Sequence, residues 1–284
     1  VQTLYLTNRN GFGDTGNAIY MGSYQIYALL LSISSIGIPN AISKLISERI
    51  AIGDNQGAHK VFKVALLTFG IIGMIGTLLL FFGAGIIADA WLEIPESKVT
   101  LMILAPAVFF VAVSSVFRGY FSGRQQMRAT ANAQSFEQFW KTLFTIIFVE
   151  IAVILTSTNT TYMAAAATAA TSTAILFSFI YLYRYYVRER KFISVKNNPG
   201  VKSENKTVKA IVKTILWISI PISLTAILSS LNKLVDSMTV VKMLKPILGE
   251  EVAKAKYGIL SAKVDILTSL PLAFNVAFAT ALVP

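Results

Sequence analysis

The chain has 284 residues, of which 55% are hydrophobic and only 14% are charged, and its mean hydropathy is +0.63. Soluble domains carry about 25% charged residues, and a soluble core of this length requires no such depletion. Surface that faces hydrocarbon does require it, because each charge placed there costs a few kcal/mol or more. The composition therefore excludes an ordinary soluble protein and predicts an all-α integral membrane protein.

The net charge of +11 first suggests nucleic acid as a partner. The basic residues, however, gather in short gaps between apolar runs rather than along one amphipathic face, which argues against nucleic acid. The chain has no cysteine and one histidine, His59. Disulfides, thiolate metal sites and His-rich metal clusters are therefore excluded.

Seven apolar segments are long enough to cross about 30 Å of hydrocarbon as helices. Four prolines are predicted to lie at mid-depth, namely Pro39, Pro106, Pro221 and Pro271, where neighbouring helices and Ser or Thr hydroxyls satisfy the carbonyls that proline frees. We expect a kink at each of them. The segments cover residues 22–47, 64–88, 99–121, 133–155, 162–183, 210–232 and 257–283.

The gaps between these segments alternate in charge. Gaps 44–63, 118–141 and 184–213 hold four, four and nine lysines and arginines, whereas the gaps on the other face hold seven in total. Because cytoplasmic loops carry the excess of Lys and Arg, these three gaps are predicted to be cytoplasmic. In the 118–141 gap, Gly119 and Gly123 are expected to let the chain turn tightly.

The N-terminal stretch then lies outside the cell, so we expect a further helix before it. The chain begins at Val1 and ends at Pro284 directly after an apolar run, so we expect it to be a fragment. Residues 184–209 are predicted to form a basic cytoplasmic linker between a lobe at 1–183 and the start of a second lobe at 210–284. The charge of this linker favours attraction to the anionic lipids of the inner leaflet.

Several motifs in order resemble the polysaccharide-biosynthesis and flippase branch of the multidrug/oligosaccharidyl-lipid/polysaccharide (MOP) exporter superfamily. The resemblance is greatest to stage V sporulation protein B-like proteins and MurJ-type lipid II flippases. It implies about fourteen helices in two pseudo-symmetric lobes around a central cavity, of which this chain carries about seven. The motifs are GIPNAISKLISE (37–48), LAPAVFFVAVSSVFRGYFSGRQQMRAT (104–130), the EQ of SFEQFWK (135–141) and YGILSAK (257–263).

Three residues near the cytoplasmic ends of helices are candidates for substrate binding. Arg118 closes one apolar segment, and Lys44 follows Asn40 by one turn on another. An inward-facing Arg118 would bind the diphosphate of a lipid-linked sugar, because guanidinium binds phosphate bidentately. The other interpretation, which stays open, is that these cations are topology anchors that extend to the membrane interface.

Carboxylates at membrane depth are further candidates. Glu150 lies in TIIFVEIAVIL with no charged neighbour in sequence, which predicts a protonated group or one turned into a cavity. Glu137 and Lys141 stand four apart and are expected to form a local helical ion pair. Lys263 and Asp265 point to different faces, and we expect one of them to line the cavity.

Asp236 follows Lys233 at helical spacing, which indicates a local salt bridge. The resemblance implies a second role, since some MurJ-type proteins bind sodium through an aspartate at a similar position. One aspartate cannot make a site for a hard cation alone. No other cofactor is expected, and transport would be coupled to sodium or to the membrane potential.

The leading hypothesis is a flippase in the bacterial cytoplasmic membrane that moves a lipid-linked saccharide, such as lipid II or a polysaccharide repeat unit, by alternating access. Its expected partners are this lipid-linked oligosaccharide and the membrane lipids. A multidrug or cation antiporter of the same superfamily and a non-transporting structural membrane protein remain alternatives. A membrane-bound glycosyltransferase or ligase is disfavoured, because no nucleotide-binding, nucleophile or metal motif occurs in the sequence.

Overall fold

The computed structural model describes residues 2–32, 37–156, 159–190 and 207–265, together with 267, 268 and 271. All regular structure in this part of the chain is helical, as predicted. Two π-helical turns, Ile87–Trp91 and Leu260–Val264, continue α4 and α9. The α-helices are α1 (Gln2–Asn8), α2 (Gly13–Ser32), α3 (Ile38–Ala51), α4 (Asn55–Ile86), α5 (Ser97–Gly123), α6 (Met127–Thr156), α7 (Thr160–Glu189), α8 (Val208–Leu248) and α9 (Glu250–Ile259).

Among the described residues, four helices are long and apolar enough to cross a membrane. They are α4 with its π-helical turn, α5, α6 and α7, and they contain four of the seven predicted segments. Each of the other three predicted segments contains positions whose backbone or side chain the structure does not describe. The structure thus supports the membrane class of the fold.

The four spanning helices divide into an inner and an outer pair. In the most apolar 18-residue stretch of each helix, 67% of the residues of α5 and 56% of those of α7 are buried. For α4 and α6 the shares are only 22% and 17%. Leu79 and Phe82 on α4 and Ile154 on α6 are largely exposed. Apolar side chains exposed in this way suit contact with lipid tails rather than water.

Two prolines have different local effects. Pro39 occupies the second position of α3, where its missing N–H has no partner to lose. Residues 33–36 lie outside the described part of the chain, so the kink expected at Pro39 stays a prediction. Pro106 lies inside α5, and hydroxyls from other helices bond the backbone beside it: Thr77 donates to the Ala105 carbonyl at 3.0 Å and Ser172 to that of Ile103 at 2.9 Å.

Gly119 and Gly123 do not form a turn, contrary to the sequence prediction. Both lie inside α5, and the chain reverses after them at Arg124–Gln126, where Gln125 has a φ of 59°. A Cβ at Gly119 would lie 2.8 Å from Cβ of Ile42, and one at Gly123 would lie 2.8 Å from the Ser43 carbonyl oxygen. The glycines therefore let α3 and α5 approach closely, as small residues four apart do in membrane helices.

Helix α8 is longer than predicted. The predicted apolar segment ended at residue 232, with Asp236 placed on the same helix, but α8 continues to Leu248 and ends at Gly249, whose φ is 80°. At 1.5 Å per residue its 41 residues extend about 60 Å. The helix packs against α3 and α4 near its start and against α2 and α9 farther along.

The described hydrophobic core has two parts that lie at opposite ends of the bundle. One joins α2, the first half of α5, the start of α7 and α9. The other joins α3, the start of α4, the second half of α5, the end of α7 and the start of α8. By the predicted orientation the first part lies on the outer side of the membrane and the second on the cytoplasmic side.

Candidate functional site

Arg118 points into the bundle, which is the orientation that the hypothesis of substrate binding requires. Its side chain is 10% exposed, and Nη2 donates to Oε2 of Glu137 at 2.8 Å. Glu137 lies on α6, whereas Arg118 lies on α5, so the ion pair joins two helices. The expected local pair between Glu137 and Lys141 was wrong: the carboxylate bonds a guanidinium 19 residues away.

Lys141 lies one turn beyond Glu137 on α6. Its Nζ sits 4.6 Å from the centroid of the Tyr24 ring on α2. No carboxylate in the described part of the chain lies within ion-pair distance of this ammonium. A cation over an aromatic face is stabilised by the ring quadrupole, so Tyr24 holds the ammonium in place without neutralising it.

Tyr24 belongs to a row of three tyrosines on one face of α2. Its ring stacks on Tyr20 at 5.9 Å and meets Tyr27 at 5.7 Å. Tyr20 and Tyr27 are buried, whereas Tyr24 is partly open. The row, Arg118, Glu137 and Lys141 together form what we call the inner cluster, contributed by α2, α5 and α6.

The inner cluster has more positive than negative charge. Arg118 and Lys141 face a single carboxylate, that of Glu137, and Nε of Arg118 is buried without a hydrogen-bond partner among the described residues. Inside a bundle, where the effective dielectric constant is low, such an imbalance is costly. An anion with several acceptor oxygens would satisfy both the charge and the free N–H.

Glu150 is paired, contrary to the expectation of an isolated carboxyl group. Oε2 accepts from Nη2 of Arg9 at 2.7 Å, and Oε1 accepts from the Tyr5 hydroxyl at 2.5 Å. The Arg9 and Glu150 side chains are 27% and 41% exposed. Both partners come from the start of the chain, so this group ties α1 to the outer half of α6.

Lys44 and Asn40 lie one turn apart on α3 and are exposed. The opposite face of α3, with Ile42 and Ile46, is buried in the core. No described hydrogen bond or ion pair joins Lys44 or Asn40 to the inner cluster. Their role in substrate binding stays a prediction.

Helix α9 is held to the rest of the bundle by a lysine between two carboxylates. Lys254 is 1% exposed, and its Nζ lies 2.9 and 3.0 Å from the two carboxylate oxygens of Glu96. Glu250, one turn earlier on α9, accepts from the same ammonium at 2.9 Å. We call Lys254, Glu96 and Glu250 the outer cluster.

The remaining two cavity candidates also make inter-helix contacts. Nζ of Lys263 lies 2.7 Å from Oδ1 of Asp14 on α2. Oδ2 of Asp265 lies 3.9 Å from Nζ of Lys233 on α8. The helical spacing predicted a pair between Lys233 and Asp236, but Lys233 pairs with Asp265 instead. Neither contact reaches the inner cluster, and which of the two residues lines a cavity stays a prediction.

The described contacts do not test whether Asp236 binds a sodium ion. Asp236 is exposed on α8, and no group of three His, Cys, Asp or Glu side chains that would hold a metal occurs in the described residues. A hard cation needs several oxygen ligands, and Asp236 by itself supplies only one carboxylate. Sodium binding by Asp236 stays a prediction without support from these contacts.

Sequence reasoning selected Arg118 but missed its partners. Lys141 and Glu137 were assigned to each other because helical spacing was the only neighbour rule available. The signal for the tyrosines was present, since Tyr20, Tyr24 and Tyr27 recur at the spacing of one helical face. Arg9 gave no local signal, because its partner lies 141 residues away.

With this geometry established, comparison with known proteins identifies the family. The family model described as polysaccharide biosynthesis protein matches residues 1–284. The chain belongs to this family. It is a multi-pass bacterial membrane protein, as the resemblance implied.

Three relatives and neighbours illustrate the relationship. Stage V sporulation protein B of Bacillus subtilis (strain 168) is 27% identical over 277 residues, which cover 96% of this chain and 52% of that protein. The lipid II flippase MurJ of the same organism is 30% identical over 142 residues, covering 47% of this chain and 26% of that protein. An inward-facing structure of a multidrug resistance MATE family transporter of the MOP superfamily has a TM-score of 0.66 at 17% identity, covering 98% of this chain and 69% of that one.

The extent of these matches bears on function. The chain spans about half the length of the sporulation protein. The structural likeness, at 17% identity, establishes the shared fold of the family's helical bundle. The inner and outer clusters are therefore part of that shared helical fold in this polysaccharide biosynthesis protein.

Proposed function

We propose that the protein moves a lipid-linked saccharide across the cytoplasmic membrane. The observation that carries this proposal is the charge of the inner cluster, where two cations face one carboxylate inside the bundle. A diphosphate linkage supplies the missing negative charge. Arg118 offers its free Nε–H and Lys141 its ammonium to the phosphate oxygens.

The tyrosine row suits the sugar that follows the diphosphate. Tyrosine presents an apolar ring and a hydroxyl that donates and accepts hydrogen bonds. Tyr24 is partly open, and Tyr20 is fixed by the Gln2 side chain, whose Nε2 donates to its hydroxyl at 2.9 Å. The polyprenyl tail would stay in the surrounding lipid. Transport of this kind requires no covalent step, so we propose no enzymatic activity.

The mechanism we propose is alternating access. In this scheme the outer cluster and the Lys263–Asp14 pair close the outer side by holding α9 against α2 and Glu96. Substrate enters the inner cluster from the cytoplasmic side. Export then requires these outer ion pairs to separate while α8 and α9 move relative to the other helices.

A cation antiporter of the same superfamily is the competing function. Such a protein would need an excess of carboxylates at its binding site, because a cation must be neutralised inside the bundle. The described inner cluster has the opposite balance. The flippase named among the relatives, MurJ, also supports a lipid-linked substrate.

Transport by the intact protein in vesicles tests the proposal. Labelled polyprenyl-diphosphate disaccharide is the substrate, and Lys141→Gln is compared with the wild type. We expect Lys141→Gln to lower the transport rate about tenfold or more, since hydrogen bonds to charged groups contribute about 1.5–3 kcal/mol. Lys98→Gln is the matched control, because Lys98 is an exposed lysine at the start of α5 and should transport normally.

Two results would overturn the proposal. One is wild-type protein that moves organic cations but not the lipid-linked disaccharide. The other is Lys141→Gln protein that transports the disaccharide at the wild-type rate. The double variant Arg118→Gln with Glu137→Gln provides a second test, since it removes the guanidinium without leaving a buried carboxylate unpaired, and it should also transport slowly.

A further inference from the structure

A groove lies between α6 and α7 on the surface of the bundle. Its volume is about 330 Å³, and it is open along one side. The walls combine aromatic side chains with two arginines. They are Phe136, Trp140, Phe177, Ile180, Tyr181, Arg184, Tyr185 and Arg188.

The aromatic rings form a continuous apolar wall. Trp140 on α6 lies 5.4 Å from Phe177 on α7, and Phe136 lies 5.2 Å from Tyr181, measured between ring centroids. Phe136 and Phe177 are 45% and 41% exposed. An apolar wall left open in a membrane protein faces hydrocarbon chains.

The arginines lie at one end of the groove. Arg184 and Arg188 are exposed and stand four residues apart, so they share one face of α7. No carboxylate among the described residues lies within ion-pair distance of either guanidinium. Like charges at this spacing repel each other, and an anion bound between them would remove the repulsion.

The dimensions of the groove match one leaflet of a bilayer. Phe177 and Arg188 are eleven residues apart, so α7 rises about 16 Å between them. This is about half of the 30 Å hydrocarbon thickness. The arginine end lies near Glu189, where α7 ends on the side predicted to be cytoplasmic. The aromatic wall therefore lies at acyl-chain depth, with the guanidinium groups at headgroup depth.

The groove opens on a different face of α6 from the inner cluster. Phe136 and Trp140 line the groove, whereas Glu137 and Lys141, each one residue later, contact α5 and α2. Successive residues of a helix point about 100° apart. A molecule in this groove is thus separated from the proposed substrate site by α6 itself.

We propose that this groove binds an anionic phospholipid of the inner leaflet as a resident lipid, distinct from the transported substrate. The phosphate lies between Arg184 and Arg188, and guanidinium groups bind phosphate oxygens through paired N–H donors. One acyl chain lies against Trp140 and Phe177. The shape, the depth and the positive charge of the groove all fit this single occupant.

Lipid retention by the purified intact protein tests the site. The protein is exchanged into vesicles of equal parts phosphatidylglycerol and phosphatidylethanolamine, re-extracted, and its bound lipids are counted by native mass spectrometry. We expect Arg184→Gln with Arg188→Gln to lower retained phosphatidylglycerol about tenfold, because each arginine near the surface adds attraction to anionic lipid. Phe177→Ala should lower the retention of both lipids.

Lys209→Gln with Lys213→Gln is the matched control, since these lysines are also exposed, four apart and at the same predicted face of the membrane, but on α8. It should retain phosphatidylglycerol as the wild type does. Arg184→Lys with Arg188→Lys keeps both charges and should retain most of the lipid, which tests the site even if the glutamine variant folds poorly. Equal loss in the control or undiminished retention in the glutamine variant would each overturn the proposal.

Discussion

The inner and outer clusters contain the same kinds of charged groups in opposite proportions. In the outer cluster one ammonium, that of Lys254, lies between two carboxylates, and Lys245 also pairs with Glu250, so every charged group there has a partner. In the inner cluster two cations face one carboxylate, and a buried N–H of Arg118 has no partner among the described residues.

This difference separates a structural contact from a binding site. A buried lysine with two carboxylate partners has no capacity left for a ligand, and its effect is to hold α9 beside the start of α5. A buried pair of cations with one carboxylate has such capacity, because desolvated charge that is not balanced internally favours an incoming anion. This contrast supports the proposal that the outer cluster closes one end of the bundle and that the inner cluster binds the substrate.

The largest expected effect comes from breaking the outer cluster. Lys254→Ala leaves the Glu96 and Glu250 carboxylates facing each other, and we expect the α9 contact to weaken by about 2–3 kcal/mol, somewhat less than for a fully buried pair. In a Ser261→Cys background without other cysteines, labelling by an impermeant maleimide from outside should increase at least about tenfold. Ser261 is 6% exposed, so it reports separation of α9.

Lys245→Ala is the control for this experiment. Lys245 pairs with the exposed side of Glu250 at 3.0 Å and is itself 41% exposed. Exposed ion pairs contribute about 0–1 kcal/mol, so labelling should hardly change. Equal labelling of the two variants would show that the burial of Lys254 has no special role.

The second effect tests the support of the inner cluster. Gly119→Ala places a methyl group 2.8 Å from Cβ of Ile42 and 2.9 Å from the Pro39 carbonyl oxygen, so α3 and α5 must move apart beside Arg118. We expect a loss of about 1–2 kcal/mol and a fall in Tm of about 5 °C in detergent-solubilised protein. Gly70→Ala, where a Cβ meets nothing within 4 Å, should leave Tm unchanged or raise it. A comparable fall for both would contradict the helix-contact role of Gly119.

The third prediction concerns a variant that increases the excess of positive charge in the inner cluster. Glu137→Gln removes the only carboxylate that the described inner cluster contains, which releases the charge of Arg118 for a ligand. We expect the affinity for polyprenyl diphosphate to rise about fivefold, while transport slows because release becomes slower. Glu189→Gln at the end of α7 should change neither. Weaker binding by Glu137→Gln would mean that Glu137 itself contacts the substrate.

The smallest effect is the pH dependence of the outer cluster. Hydrogen bonds from Lys254 and then from Lys245 lower the pKa of Glu250 below its ordinary value of 4.5. Because the folded-state pKa is depressed, the stabilisation is complete above about pH 4.5 and is lost as the pH falls through the lower folded-state value. Because maleimide reacts with the thiolate, the labelling rate of Ser261→Cys is divided by that of a free thiol at the same pH; this ratio should rise at acidic pH, and Glu250→Gln should reduce that rise. A rise that begins well above pH 5 would implicate another group.

The sequence predicted the membrane class and the spanning helices well. The segments 99–121 and 162–183 lie within α5 and α7, because long apolar runs with few charges have one stable form in lipid. The helix bounds were less accurate where polar residues continue a helix. Helix α8 extends beyond residue 232 because KLVDSMTVVKML is compatible with a helix although it is too polar for a hydropathy criterion.

The candidate site was predicted only in part, for a specific physical reason. Helical spacing identifies neighbours within one helix, but Arg118, Glu150 and Lys233 all pair with residues from other helices. Those partners depend on how helices pack, which local spacing does not encode. Gly119 and Gly123 were misinterpreted for the same reason. Glycine is favoured both in turns and where two helices pack closely, and the sequence alone does not distinguish the two.

The length of α8 has a mechanical consequence. About 40 Å separates Pro221 from Leu248 along the axis, and proline is a common place for a membrane helix to bend. A swing of only about 10° at that point would carry the far end sideways by about 7 Å, more than the width of the Lys263–Asp14 contact. The part of α8 beyond Pro221 would then act as a lever arm, so that a small rotation at the proline would become a large displacement at the far end of the helix.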